Sequence, residues 1–351
     1  MIRGGAGLFY DRIPLGGLAN ALLSAGNSTT LNSGSQLNIT LSPTQVGAPV
    51  FPSILTAAPA AGLVNFTTMN RNLQNGYSMQ RSLEVEHRLS ATASFSVGYQ
   101  YLRGLHLMNA VNQNVPTCIA AGTNNGCRPN PAYANNSRYN SIADSRYNAL
   151  HISLQQRAAK WGNYRISYAY SKSLNNVGEF FFSSPIDPTN IWLDYGRSDD
   201  DQRHRVVFNG ALQTSMSTAQ NNWQRLSHGF QLSGMLQYYS PLPFNLTTGA
   251  TTVQGTPARP QVNGQFIIRN AGIGNDLFSV NLRLSRSFPI GERVRMEALA
   301  EAFNALNHRN NLLRNGNVGT GAYPASPSAT FGQITAVNDP RSLQLALRFR
   351  F

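Results

Sequence analysis

The densest cluster of ionisable side chains in this sequence is RSDDDQRHR, residues 197–205. There Asp199, Asp200 and Asp201 stand beside Arg203, His204 and Arg205. Carboxylates so close together can hold a hard cation such as Ca²⁺, but the ligand spacing of an EF-hand loop is absent. The stretch reads instead as a solvated loop closing onto a strand, with Asp–Arg pairs of small energetic worth. A second set, Arg293, Arg295, Glu297 and Glu301, falls on one face of an extended RVRMEALAEAF. With Arg283 from the segment before it, this row has two uses: to line a path for a polar solute, or to pair charges between neighbouring strands. Pairing is the ordinary use in a sheet.

Other chemistry is missing from the pattern. The six His are scattered, and there is no G-x-S-x-G, H-E-x-x-H or P-loop. GGAGLF and GIGND lack the third Gly and the strand-to-helix setting of a dinucleotide loop. No catalytic residue, metal site or cofactor is expected, and the chain does not read as an enzyme. Cys118 and Cys127, the only two cysteines, bracket the polar CIAAGTNNGC. They suit a small disulfide-closed loop in an oxidising compartment, while a metal site would want more ligands nearby.

Composition narrows the class further. Lys+Arg is 28 against 15 Asp+Glu, a net charge of +13, and nearly all of the positive charge is Arg. The Arg residues are dispersed rather than gathered on a patch, which excludes nucleic acid as the partner. Charged residues make up only 12%, about half the share of a soluble domain. Asn, Ser, Gln, Thr and Gly fill the deficit. No apolar run approaches the ~20 residues of a membrane helix, and MIRGGAGLFYDR has no signal-peptide core.

The elements that must position these residues are strands. Period-two alternation recurs ten times, at 2–11, 78–89, 92–101, 147–157, 163–173, 204–212, 228–239, 277–288, 293–303 and 342–351. Helical periodicity is nearly absent. The connections alternate strictly between short and long, the long ones being 12–77, 103–143, 173–203, 241–276 and 306–340. A soluble β-sandwich alternates too, but its outer face is richly charged. Here the polar face is Ser, Asn, Gln and Gly, as in the wet interior of a barrel. The expected fold is therefore all-β: an antiparallel transmembrane β-barrel segment of about ten strands, with short periplasmic turns and long extracellular loops. Tyr99, Tyr101, Tyr168, Tyr170, Tyr238 and Tyr239 would form its upper aromatic girdle.

The last strand, SLQLALRFRF, sets Leu343, Leu345, Leu347, Phe349 and Phe351 on one face. It is similar to the assembly signal of outer-membrane proteins at Gln344, Phe349 and Phe351, with Ala346 in place of the usual Gly. Larger stretches, among them IRGGAGLFYDR, SATASFSVGYQYLRGLHL, DYGRSDDDQRHRVVFNGAL and EALAEAFNALNHRNN, resemble in order the C-terminal half of a TonB-dependent transporter barrel of the Oar-like branch. That resemblance implies that residues 1–351 are the C-terminal part of a larger barrel, with the plug, N-terminal domain and signal peptide absent. It implies the outer membrane of a Gram-negative bacterium and a part in substrate uptake or surface interaction. The implied partners are outer-membrane lipid and lipopolysaccharide, the barrel-assembly machinery, and the TonB energy-coupling complex through the missing part. The alternative is a self-contained small porin or adhesin.

Overall fold

The computed structural model describes residues 1–24, 38–39, 64–117, 127–178, 184–214, 227–252, 256–290 and 294–351. Ten long strands form one antiparallel meander in chain order: β1 (Ile2–Tyr10), β2 (Tyr77–Arg88), β3 (Ala93–Asn112), β4 (Asn136–Ala159), β5 (Gly162–Asn175), β6 (His204–Gln213), β7 (Phe230–Tyr239), β8 (Leu277–Ile290), β9 (Val294–Phe303) and β10 (Ser342–Arg350). Each expected strand is present. Among the described residues β1 and β10 are each paired on one side only, so the sheet is not closed.

Register keeps the two faces separate across the wall. Leu284 of β8 lies opposite Leu232 of β7 and Ala300 of β9, and Ala300 lies opposite Leu345 of β10. The neighbouring row runs Ser233, Arg283, Glu301, Gln344. A slip of one residue anywhere would exchange these rows, so the alternation itself pins the pairing. On the other side Val97, Ile152, Tyr168 and Val206 form one continuous apolar row. Gly162 turns β4 into β5 at φ 140°, a backbone conformation closed to other residues.

Four expectations need correction. Both ends of the connection 103–143 are strand: β3 has 20 residues and β4 has 24, where a bilayer needs about 9–11. Both carry on past the membrane height as a tall hairpin, beyond a register shift between Gly104 and Leu107 with His106 at φ 56°. The span 12–77 contains a helix, α1 (Leu15–Leu23), and a strand, Val64–Met69, that pairs in parallel with β4 at Asn136–Tyr139. Nine residues are too few for helical periodicity to stand out. Tyr239 leaves the girdle: it lies opposite Arg205 on the polar face, with the guanidinium 4.8 Å from its ring. The doublet Tyr238–Tyr239 must place one ring on each side of the sheet. The fourth lies in RSDDDQRHR, where Asp201 is fully buried.

Within the wall strands Ala149, Ser171, Ser285 and Leu299 are buried. Leu343, Leu345 and Leu347 are exposed on the apolar face. Other buried side chains gather where the long connections pack together, and most are polar: Asn109, Asn112, Asn114, Asn270, Asn304 and Asn310 beside Val111, Tyr139, Leu246 and Val318. Asn114 is typical. Its amide donates to the carbonyls of Asn130, Tyr133 and Ala134, and its Oδ1 accepts from Asn130 N–H.

Candidate functional site

Two polar regions stand out, one on the polar face of the wall and one at its loop end. The first is a charge ladder on the polar face of β8–β10. Arg283 lies 3.6 Å from Glu297 and 3.8 Å from Glu301. Glu297 also faces Arg348 at 3.5 Å and Arg350 at 3.6 Å. One carboxylate is thus shared by guanidinium groups from both neighbouring strands, the interstrand use expected of this row. The arginines are partly exposed, so each pair has little net worth. Of the other expected lining residues, Arg295 is on the same row but outside these pairs among the described residues. Arg293 lies outside the described residues. Arg348 and Arg350 join the set only because β10 docks beside β9, a neighbour relation that spacing within one strand does not show.

The terminal-strand residues divide between the faces. Gln344 lies opposite Glu301 and Ala346 opposite Leu299 on the polar row, while Phe349 lies opposite Met296 on the apolar row. Phe351 follows the strand and is 97% exposed. Cys127 is disulfide-bonded, and Cys118 lies outside the described residues.

The second region is the loop end of the wall. A cavity of about 720 Å³ is lined there by polar-face residues Ser78, Leu102, Ser145, Tyr147 and Ser173, and by Ser198 and Asp200 from RSDDDQRHR. That acidic stretch is solvated only in part, with Asp200 exposed and Asp199 partly so. Asp201 is fully buried and accepts from Ser173 N–H at 2.7 Å and Arg197 Nε at 2.9 Å, with Arg203 at 3.0 Å. Asp199 takes both oxygens to Arg269 Nη2 at 3.0 Å and accepts from Asn270 Nδ2 at 2.7 Å. Arginines hold the carboxylates that a cation would need. Removing water from the pairs is what makes them matter, because a buried charge left without its partner is costly.

A third pair ties the loops that follow β5 and β7. Arg259 lies 3.0 Å from Asp194, and Arg259 Nη2 donates to Leu193 O at 2.8 Å. Asp194 also accepts from Ile186 N–H at 2.7 Å. Burial pushes the Asp194 carboxyl up and the Arg259 guanidinium down from their ordinary ranges. Desolvation therefore outweighs the attraction between two groups in direct contact. Sequence reading passed over Asp194, Arg259 and Arg269, because isolated charges in irregular segments carry no periodic signal. Among the described residues no group of His, Cys, Asp or Glu is placed to hold a metal ion. The arrangement is one of ion pairs and amide hydrogen bonds rather than of metal ligands among the described residues.

The model of the outer membrane beta barrel domain family matches residues 1–272 and 267–344. Among solved structures, the outer membrane transporter YddB from Escherichia coli superposes with a TM-score of 0.52 at 12% identity, over 82% of this chain and 34% of that one. A mutant of the ferric enterobactin receptor PfeA from Pseudomonas aeruginosa gives 0.44 at 13% identity, over 82% and 33%. The copper transporter OprC gives 0.38 at 9%, over 79% and 32%. At these identities the likeness is one of fold, and the chain spans about a third of the length of these proteins. No curated protein sequence matches the chain.

Proposed function

Since the chain belongs to the outer membrane beta barrel domain family, we propose that its ten strands are part of the wall of a TonB-dependent, Oar-like transporter. In this reading the wall takes part in substrate uptake across the outer membrane and performs no catalysis. The observation that carries it is the open meander: among the described residues β1 and β10 each leave an edge unpaired. Unpaired backbone groups are not tolerated in lipid, so further strands of the same barrel would complete both edges. The small polar-row residues Ser94, Ser96, Gly98, Ser167 and Ala169 fit the same picture, since they suit a wide lumen holding a separate plug better than a narrow one filled by its own side chains.

Lipid and lipopolysaccharide would cover the apolar rows. β10, with Gln344, Ala346, Phe349 and Phe351, would be read by the barrel-assembly machinery. The energy-coupling complex would act through the plug. The test is to isolate the protein from outer membranes in detergent and measure its intact mass and conductance in planar bilayers. A longer polypeptide, closed to ions until a TonB-type partner is engaged, is the expected result. A heat-modifiable monomer of 38.3 kDa that conducts constitutively would overturn the reading in favour of a small porin.

A further inference from the structure

Beneath the loop assembly lies a second, smaller cavity of about 160 Å³. Its wall includes Asn109 from the extended part of β3, Asn176 just after β5, Asp194 and Asp199 from the connection to β6, and Arg259 and Arg269 from the connection between β7 and β8. The two carboxylates balance the two guanidinium groups through the Asp194–Arg259 and Asp199–Arg269 pairs. Charge is therefore accounted for, but hydrogen bonding is not. Among the described residues, Arg259 Nε and Nη1, Asn176 Nδ2 and Asn109 Oδ1 are buried without a partner, on residues 3%, 3% and 1% exposed.

Four idle polar atoms around one small space are unusual, since nearly all buried polar groups are paired. Their balance is also one-sided. Nε carries one N–H, Nη1 and Nδ2 carry two each, and against them stands a single carbonyl acceptor. Water could fill a space of roughly five molecules, but it brings as many donors as acceptors. The matching occupant is rich in acceptors and carries one O–H.

We propose that this cavity is a binding site for a small oxyanion bearing one hydroxyl, of the hydrogenphosphate or short hydroxycarboxylate class. Its acceptor oxygens take Arg259 Nε, Arg259 Nη1 and Asn176 Nδ2, and its O–H donates to Asn109 Oδ1. The Asp194–Arg259 pair holds the guanidinium with Nη2 engaged on Leu193 O, which leaves its remaining donors for the ligand. Asn176 is fixed in the same way, because its Oδ1 accepts from Asp144 N–H at 2.8 Å and its amide nitrogen is thereby turned to the other side. The site stands on the geometry of the loop assembly and does not depend on whether the barrel carries cargo.

The test is isothermal titration of the full-length protein in detergent with inorganic phosphate, with glycolate, and with sulfate, which has no O–H at neutral pH. Saturable binding of phosphate or glycolate, with sulfate weaker, is expected. Asn176→Asp keeps the Oδ1 bond to Asp144 but replaces the donor with a charge, and should weaken phosphate binding at least about tenfold, as loss of a hydrogen bond to a charged group does. Arg259→Lys keeps the charge beside Asp194 but removes Nε and Nη1, and should act likewise. The same heat-induced shift in gel mobility as the unmodified protein verifies that each variant is folded. If Arg259→Lys does not fold, Asn176→Asp decides alone. Absence of saturable binding to the unmodified protein would mean a cavity filled with water and would overturn the proposal. So would an Asn176→Asp variant that binds phosphate as tightly as the unmodified protein, or sulfate bound equally well.

Discussion

The wall and the loop assembly solve opposite problems. In the wall, backbone groups pair strand to strand and every second side chain is left to face lipid. In the loop assembly the backbone leaves the ladder, and its N–H and C=O groups must find partners elsewhere. Asn114, Asn304 and Asn310 meet that need with side-chain amides. Asn304 Oδ1 accepts from His308 N–H at 3.0 Å, while its Nδ2 donates to His308 O at 2.9 Å and Asp339 O at 3.3 Å. The Asn-rich composition is thus structural: one residue both donates and accepts, and does the work of a missing strand. Charges differ in the same sense. Glu297 in the wall is shared among partly exposed arginines, whereas Asp201 in the loops is sealed between Arg197 and Arg203.

The contrast can be broken first where it is strongest. Asp201→Ala leaves two arginines, about a quarter exposed, without their buried carboxylate, and should cost about 3–5 kcal/mol. The loss should fall on the loops. Hydrogen exchange should speed up at Ser173 and along the 194–203 segment, while the lower halves of β4 and β5 stay protected. Equal loss of protection throughout would mean that wall and loops are one cooperative unit.

The next test separates the faces of the wall itself. Leu284→Arg puts a charge on the lipid row near mid-strand, and should cost about 2–4 kcal/mol in urea titrations of the protein refolded into lipid vesicles. Ser167→Arg, on the polar row, should cost far less in the same titration. Similar costs for both would contradict the assignment of faces.

A smaller effect is expected for Asn114→Ala. It strips partners from three carbonyls and one N–H, for a loss of about 2–3 kcal/mol, read as faster proteolysis within 113–135. Smallest of all is Glu297→Gln. Its arginine partners reach 52% and 67% exposure, so the unfolding free energy should change by less than about 1 kcal/mol. A large loss there would show that the ladder is desolvated in the intact barrel, which would sharpen the case for a closed, plugged lumen.

Sequence alone determined the wall. Alternation at period two is a local property: Phe95, Val97 and Tyr99 must share a face whatever lies beside them, and so must Leu282 and Leu284. Short turns join β2 to β3, β4 to β5, β6 to β7 and β8 to β9, so those pairings were legible, while the pairings across the long connections came with the structure. What the sequence left open was decided by partners far apart along it. Arg269 reaches Asp199 across 70 residues, and Asn270 reaches Arg197 across 73. No periodicity relates such residues, and the same Asp, Arg and Asn types are equally at home in solvated loops. The solvated reading of Asp201 failed for that reason. Its burial is set by which connections pack against it, and that packing exists only once β5, β6 and β7 stand side by side.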